Sequence, residues 1–173
     1  MLPSASTARP IVISTPLGAG ITPSGPPQIA SPSEAEAALG SGAPFLEDKS
    51  KEGFQNQTNP GTVTYTVNLN QSETLIWTYA WCAGDTATLQ QNFENIDLKF
   101  VLDGEEIPVD QMGTFETESG SNQCRLIYTA LSEWPGGEHH LTTTATFTEK
   151  INDGTADYEP GDYVLDYTVT VNP

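Results

Sequence analysis

The strongest constraint on the fold is a period-two alternation of apolar and polar residues that recurs from residue 62 to the end of the chain. Successive side chains of a β-strand point to opposite faces, so this spacing predicts strands with one face in a core. The clearest instance is residues 62–69, in which every second side chain is apolar, namely Val63, Tyr65, Val67 and Leu69.

The stretch from Thr74 to Cys82 concentrates aromatic residues and leaves two arrangements open. If its aromatic face is buried, the strand forms the centre of a sandwich; if its cysteine face is buried, the aromatic residues form an exposed stripe that can bind a ligand. The apolar faces of the neighbouring strands favour the buried aromatic face. Cys82 then lies off the core. The aromatic face carries Leu75, Trp77, Tyr79 and Trp81, and the other face carries Ile76, Thr78, Ala80 and Cys82.

The remaining alternating segments predict the fold class. Asp103-Gly104 is a two-residue hairpin signal. About seven or eight short strands, with turn signals between them and no long helix, predict an all-β chain that folds as an antiparallel β-sandwich, with a small barrel as the alternative. The further strands are expected at residues 96–102, 105–109, 114–117, 123–130, 138–148 and 162–171.

The composition divides the chain into residues 1–60 and 61–173. The first part is rich in Pro, Ser and Gly, which predicts an extended tail or linker in front of the sandwich. Within it, Ser33 to Gly40 is predicted to form a short helix with Ser33 as its N-cap. The strand-like Ile11-Val12-Ile13 suits addition to an open sheet edge, in its own chain or in a second copy, which would make a homo-oligomer.

The formal net charge of the chain is -17. Such a surface repels phosphate backbones and anionic headgroups, which argues against nucleic acid and against direct membrane binding. It favours solubility and the binding of cations or of a basic partner. No apolar run approaches the roughly 20 residues of a membrane span, so we expect no direct membrane insertion.

The two cysteines, Cys82 and Cys124, belong to no Cys-x-x-Cys pair. We expect one structural disulfide rather than two free buried thiols, and a disulfide implies an oxidising, extracellular or cell-surface location. If Cys82 lies off the core face, the bond would staple the sandwich at its end.

The last 40 or so residues carry a resemblance to a known family. The segment from Pro135 to Leu141, with its Gly-Gly turn, is followed by alternating threonines, by Asp153-Gly154 and by a closing strand from Tyr163 to Val171. This pattern resembles the closing strands of immunoglobulin-like or fibronectin-III-like domains of bacterial secreted and surface proteins. The resemblance implies an immunoglobulin-like sandwich with a modular extracellular role and transfers no active site.

Few residues are candidates for catalysis or metal binding. His139 and His140 are neighbours and would point to opposite faces of a strand, so they cannot easily share a metal. No nucleophile elbow is present, and we expect no enzyme and no cofactor. The acidic loop of residues 152–162 offers hard oxygen ligands for calcium, from Asp153, Asp157 and Asp162; the alternative is a solvated hairpin connection.

These features lead to three functional hypotheses. The first is a non-enzymatic, exported module with a structural or adhesive role at the cell surface, where its partner is a protein or a polysaccharide. The second is a filament subunit assembled through Ile11, Val12 and Ile13. The third is a carbohydrate-binding module that stacks sugar rings on exposed aromatic residues, with Trp77, Tyr79, Trp81 and Trp134 as the candidates.

Overall fold

The computed structural model describes residues 25–173, which form two large β-sheets, a separate two-stranded sheet and two short α-helices. Seven of the strands have seven or more residues. In chain order the elements are β1 (Gln28–Ile29), α1 (Pro32–Gly40), β2 (Gly61–Asn70), β3 (Leu75–Ala83), α2 (Thr86–Phe93), β4 (Ile96–Leu102), β5 (Glu105–Ile107), β6 (Gly113–Ser119), β7 (Asn122–Ser132), β8 (Gly137–Phe147), β9 (Ile151–Asn152), β10 (Asp157–Tyr158) and β11 (Gly161–Asn172).

The two sheets pack face to face, which confirms the predicted β-sandwich. In the first sheet, β7 pairs with β3 on one side and with β6 and β1 on the other. In the second sheet the order is β2-β11-β8-β4-β5. The pairing is antiparallel except between β2 and β11, which run parallel along their whole length. The expectation of a purely antiparallel sandwich therefore needs this one correction.

The aromatic face of β3 is buried between the sheets, as the alternation predicts. Trp77 has no exposed surface, and its indole N–H donates a hydrogen bond of 2.9 Å to the Thr143 hydroxyl of the opposite sheet. Its ring meets Phe100 edge to face, with ring centroids 5.1 Å apart. A buried indole N–H without an acceptor would cost the desolvation of that group, so Thr143 makes the burial of Trp77 favourable.

The outer face of the first sheet carries a second apolar cluster beneath α1. Ile76, Tyr128 and Ala130 are buried there, and Ala35 of the helix packs on them. The expectation of a tail through residue 60 is therefore wrong for residues 28–50, because α1 and its flanking segments contact the sandwich. Ile11, Val12 and Ile13 lie outside the described residues.

Both helices are short, and the part of the chain described here contains no helix long and apolar enough to span a bilayer. The cap of α1 is Ser31 rather than the predicted Ser33: the Ser31 N–H and hydroxyl donate to the Glu34 carboxylate at 2.8 and 2.7 Å. Pro32 suits the first helical position, where its missing N–H has no partner to lose. The predicted loop of residues 83–95 contains α2, whose cap Asp85 accepts from the Thr88 N–H.

Cys82 and Cys124 form the predicted disulfide bond. They lie directly opposite each other in β3 and β7, with Cα atoms 4.0 Å apart, on the face that looks away from the core. Cys82 thus lies off the core face, as expected. The bond joins two strands of one sheet, however, and does not staple one sheet to the other, because the register places the two cysteines in neighbouring strands.

Replacing Trp77 by Ala is expected to lower the free energy of unfolding by about 3–5 kcal/mol, because it leaves a cavity between the sheets and an unpaired Thr143 hydroxyl. Phe54→Ala is the matched control, since Phe54 is 77% exposed, and is expected to change stability by about 0.5 kcal/mol at most. Urea denaturation measures both. Equal effects of the two substitutions would contradict the assignment of Trp77 to the core.

Removing the disulfide by the double substitution Cys82→Ala and Cys124→Ala is expected to lower stability by about 3–4 kcal/mol. The bond closes a loop across a sequence separation of 42 and so restricts the unfolded chain. Urea denaturation with and without reductant measures the effect. Reductant should destabilise the wild type and leave the double variant unchanged, and a wild type that is indifferent to reductant would contradict the prediction.

Candidate functional site

A cleft of about 390 Å³ opens between the end of β3 and the segment of residues 54–58. Its lining includes both faces of β3, with Tyr79 and Trp81 from the inner face and Ala80 and Cys82 from the outer face. The cleft therefore crosses the edge of this strand. Its other lining residues are Glu47, Phe54, Gln55, Asn56, Gln57, Thr58, Phe147, Asp153, Thr155, Ala156, Tyr158, Tyr163 and Leu165.

The edge of β3 is free at the cleft because the strand has a partner strand on one side only. It pairs with β7 along residues 75–83. On its other side the described residues contribute a single bridge, between Phe45 and Ile76, at the opposite end of the strand. An edge strand presents backbone N–H and C=O groups to whatever lies beside it.

The inner wall of the cleft is a cluster of aromatic rings. Trp81 meets Phe147 and Tyr158 edge to face, with ring centroids 5.2 and 4.8 Å apart. Phe147 in turn stacks on Tyr163 at 4.2 Å. Trp81 is partly exposed whereas the other three rings are buried, so Trp81 is the member of this cluster that presents surface to the cleft.

Tyr79 contributes a polar group without a partner. Its side chain is 8% exposed and lines the cleft, and its hydroxyl makes no hydrogen bond to another side chain or backbone group in the described part of the chain. Burial raises the pKa of this phenol well above its usual range, with Tyr158 and Tyr163 acting in the same direction. The hydroxyl therefore stays protonated and can both donate and accept a hydrogen bond.

Glu47 supplies a half-buried carboxylate to the cleft. Its Oε1 accepts a hydrogen bond of 2.8 Å from the Tyr167 hydroxyl. Burial raises the pKa of Glu47 above its ordinary value of 4.5, although the bond from Tyr167 acts in the opposite direction. The cleft thus contains an acid whose charge is poorly solvated by its surroundings.

Asp153 closes the loop between β9 and β10 at the rim of the cleft. Its Oδ1 accepts from the backbone N–H groups of Thr155 and Ala156 at 2.7 and 2.8 Å, and its Oδ2 accepts from the Tyr158 hydroxyl at 2.9 Å. Burial acts to raise the pKa of Asp153, but these hydrogen bonds together hold it below its usual range. Asp153 therefore carries a full negative charge at neutral pH.

The aromatic residues expected to form an exposed platform lie in different places. Trp77 and Trp134 are 0% and 1% exposed, so neither offers a ring face to a ligand. Tyr79 lines the cleft but is almost fully buried, so it offers no exposed ring face. Trp81 alone among the four is partly exposed, because β3 ends there at the open edge of the sandwich.

The predicted calcium site is not assembled. The oxygens of Asp153 are taken by donors of its own loop, Asp157 pairs with Lys150 at 3.2 Å, and Asp162 accepts from the Thr146 hydroxyl at 2.7 Å. Residues 25–173 hold no group of three or more His, Cys, Asp or Glu side chains placed to bind a metal ion. The acidic loop is closed by its own hydrogen bonds, which the count of oxygen ligands in the sequence could not reveal.

The two histidines point to opposite faces of β8, as predicted: His139 is buried and His140 is exposed. His139 Nδ1 lies 2.7 Å from an Asp103 carboxylate oxygen and its Nε2 lies 2.9 Å from the Pro135 carbonyl oxygen. Asp103 also accepts from the His140 backbone N–H at 2.8 Å. Both ring nitrogens of His139 are occupied, and the pair ties the β4–β5 hairpin to β8.

Sequence reasoning missed Glu47 and residues 54–58, because both lie in the part interpreted as a tail. The available signal was the apolar pair Phe45-Leu46 within polar, Pro-rich sequence. Leu46 is 1% exposed and its N–H donates to the Ile76 carbonyl, which fixes this segment against β3 and brings Glu47 to the cleft.

At the level of sequence, neither a protein-family model nor a curated protein matches the chain. Similar solved structures include the complex of PbICP-C with falcipain-2, with 11% identity and a TM-score of 0.40 over 69% of this chain and 95% of that chain. The cysteine protease inhibitor EhICP2 from Entamoeba histolytica has 11% identity and a TM-score of 0.35 over 68% and 100%. The Plasmodium falciparum protein Pf12p has 8% identity and a TM-score of 0.33 over 66% and 43%. At these scores none of the three assigns a function, and the resemblance to bacterial immunoglobulin-like domains stays a prediction.

Glu47→Gln is expected to be at least as stable as the wild type at pH 7, because it removes a buried charge and keeps an acceptor for the Tyr167 hydroxyl. The raised pKa means that the native state keeps this proton up to a higher pH than the unfolded chain does. The wild type therefore loses stability relative to the variant as pH rises through the native pKa, and the two converge below the ordinary value of 4.5.

Urea denaturation of both proteins at pH 4 and pH 7 measures this difference. Glu149→Gln removes an equal charge at an exposed position outside the cleft and should show no such pH dependence. A Glu47→Gln protein that is less stable than the wild type at pH 7 and equal to it at pH 4 would show that the charge stabilises the fold.

Proposed function

We propose that this chain is an exported, non-enzymatic module that serves as an adhesive or structural unit at a cell surface and binds its partner through the cleft beside Trp81. The observation that carries the proposal is the cleft itself, a concave site of about 390 Å³ with an aromatic wall and a few polar groups. Its volume and its apolar lining with a few polar groups are typical of binding sites for small ligands.

The location of the cleft supports an extracellular role. The Cys82–Cys124 disulfide closes the outer side of the same strand end that lines the cleft, and Cys82 itself is among the lining residues. Disulfides persist in oxidising compartments, so a site that is held in place by one suits secretion or surface display. The exposed Phe54 at the rim adds apolar surface of the kind that partners cover.

Carbohydrate binding is the second candidate, and a specific observation favours it. Trp81 is partly exposed, and the amides of Gln55, Asn56 and Gln57 line the same cleft. An aromatic ring next to amide groups matches the apolar and polar faces of a sugar ring. In this version the surface partner is a polysaccharide rather than a protein.

The test is the binding of the fluorescently labelled chain to a glycan array and to a panel of purified extracellular proteins. Trp81→Leu is expected to reduce binding at least about tenfold, because Trp81 is the partly exposed ring of the aromatic wall. Phe115→Leu is the matched control, since it changes an exposed aromatic residue on β6, outside the cleft.

Binding that Trp81→Leu weakens and Phe115→Leu leaves unchanged supports the proposal, and the array on which it occurs decides between protein and polysaccharide. Binding that both variants retain would place the site elsewhere and overturn the role of the cleft. Circular dichroism and urea denaturation of Trp81→Leu verify that any loss reflects the site rather than unfolding.

A further inference from the structure

The charged residues that line the cleft are all acidic. Glu47 and Asp153 are its two ionisable carboxylates, and no Lys or Arg is among the described residues that line it. Three bases outside the lining have acidic partners: Arg125 pairs with Glu116 at 2.7 Å, Lys150 with Asp157 at 3.2 Å and Lys49 with Glu73 at 2.7 Å. A positive ligand would therefore meet two carboxylates and no base among the described lining residues.

Arg125, which lies opposite Trp81 in the β3–β7 register, makes a cation–π contact within this chain. Its guanidinium lies 4.6 Å from the centroid of the Phe93 ring. In the cleft, the partly exposed Trp81 carries an indole, the ring type that attracts cations most strongly. The planar guanidinium of arginine stacks on such a ring while it donates hydrogen bonds at its edge.

Acceptors for those hydrogen bonds are present. Glu47 uses one carboxylate oxygen for Tyr167 and makes no hydrogen bond to a described side chain with the other. Tyr79 is 8% exposed and lines the cleft, and its hydroxyl has no hydrogen-bond partner among residues 25–173. These two groups can accept from an ammonium or guanidinium, which also relieves the poor solvation of the Glu47 charge.

The free edge of β3 indicates that the cation belongs to an extended peptide rather than to a small amine. The cleft crosses this edge, where no strand of residues 25–173 pairs with the backbone groups of β3. An extended peptide can pair with such an edge by main-chain hydrogen bonds and direct alternate side chains into adjoining pockets. A small amine would leave this edge unused.

We propose that the cleft receives an arginine or lysine side chain presented by an extended segment of a basic partner protein. The inference rests on the proposed function, since it names the partner of the same cleft. The net charge of -17 complements such a partner and would steer its approach at low salt. The segment lies along β3, its cation contacts Trp81, and Glu47 and the Tyr79 hydroxyl accept its hydrogen bonds.

The test is a titration of the isotope-labelled chain, monitored by nuclear magnetic resonance, with the blocked pentapeptide Thr-Val-Arg-Val-Thr. The matched ligand carries citrulline in place of arginine, which keeps the shape and removes the charge. We expect the arginine peptide to shift the Trp81 indole signal and the backbone amides of residues 79–82, and the citrulline peptide to bind at least about fivefold more weakly.

On the protein side, Glu47→Gln is expected to weaken the arginine peptide by about fivefold, while Glu149→Gln, which removes an equal charge outside the cleft, changes affinity by less than about twofold. Tyr79→Phe removes only the hydroxyl and is expected to weaken binding by about threefold. Raising the salt concentration from 50 to 500 mM should weaken the arginine peptide and leave any citrulline binding unchanged.

Equal affinity for the two peptides, or an arginine affinity that Glu47→Gln leaves unchanged, would overturn the inference, as would the absence of any shift. A titration with cellohexaose distinguishes the failure of the cation inference from the failure of the cleft as a binding site. If the hexasaccharide shifts the Trp81 signal and the arginine peptide does not, the cation is excluded while the cleft remains a binding site.

Discussion

The burial of Trp77 between the two sheets is the interaction on which the rest of the structure depends. Its ring fills the space between β3 and the opposite sheet, and its N–H is satisfied by Thr143 across the core. This hydrogen bond and the contact with Phe100 fix which face of β3 points inward. A shift of one residue in the register would turn the whole aromatic face outward, so one buried indole specifies the arrangement of the entire strand.

The same alternation that builds the core also builds the site. Tyr79 and Trp81 follow Trp77 on the inner face, but the sandwich ends before Trp81 is fully covered. Within the described part of the chain, the outer edge of β3 has no partner strand at that end. The segment that contains Glu47 is fixed against the other end of the strand through Leu46. The site is thus the part of the aromatic face that the second sheet leaves uncovered.

The sequence predicts the strands and their buried faces well, because alternation is a local pattern and Trp77 has few other ways to be buried. It does not predict the parallel pairing of β2 with β11, which joins residues about a hundred positions apart. Nor does it predict the role of Glu47, since a Pro-rich segment has no periodic pattern to show what it contacts. The calcium ligands fail for a related reason: the hydrogen bonds that occupy Asp153 depend on backbone geometry, which composition does not reveal.

The aromatic strand β3 is buried at Trp77 and partly open at Trp81. Fluorine nuclear magnetic resonance of the chain labelled with 5-fluorotryptophan tests it most directly, with the three signals assigned by single Trp→Phe substitutions. We predict that only the Trp81 signal shifts between H₂O and D₂O and broadens with a soluble paramagnetic probe. A response of the Trp77 signal equal to that of Trp81, or protection of all three signals, would contradict the account.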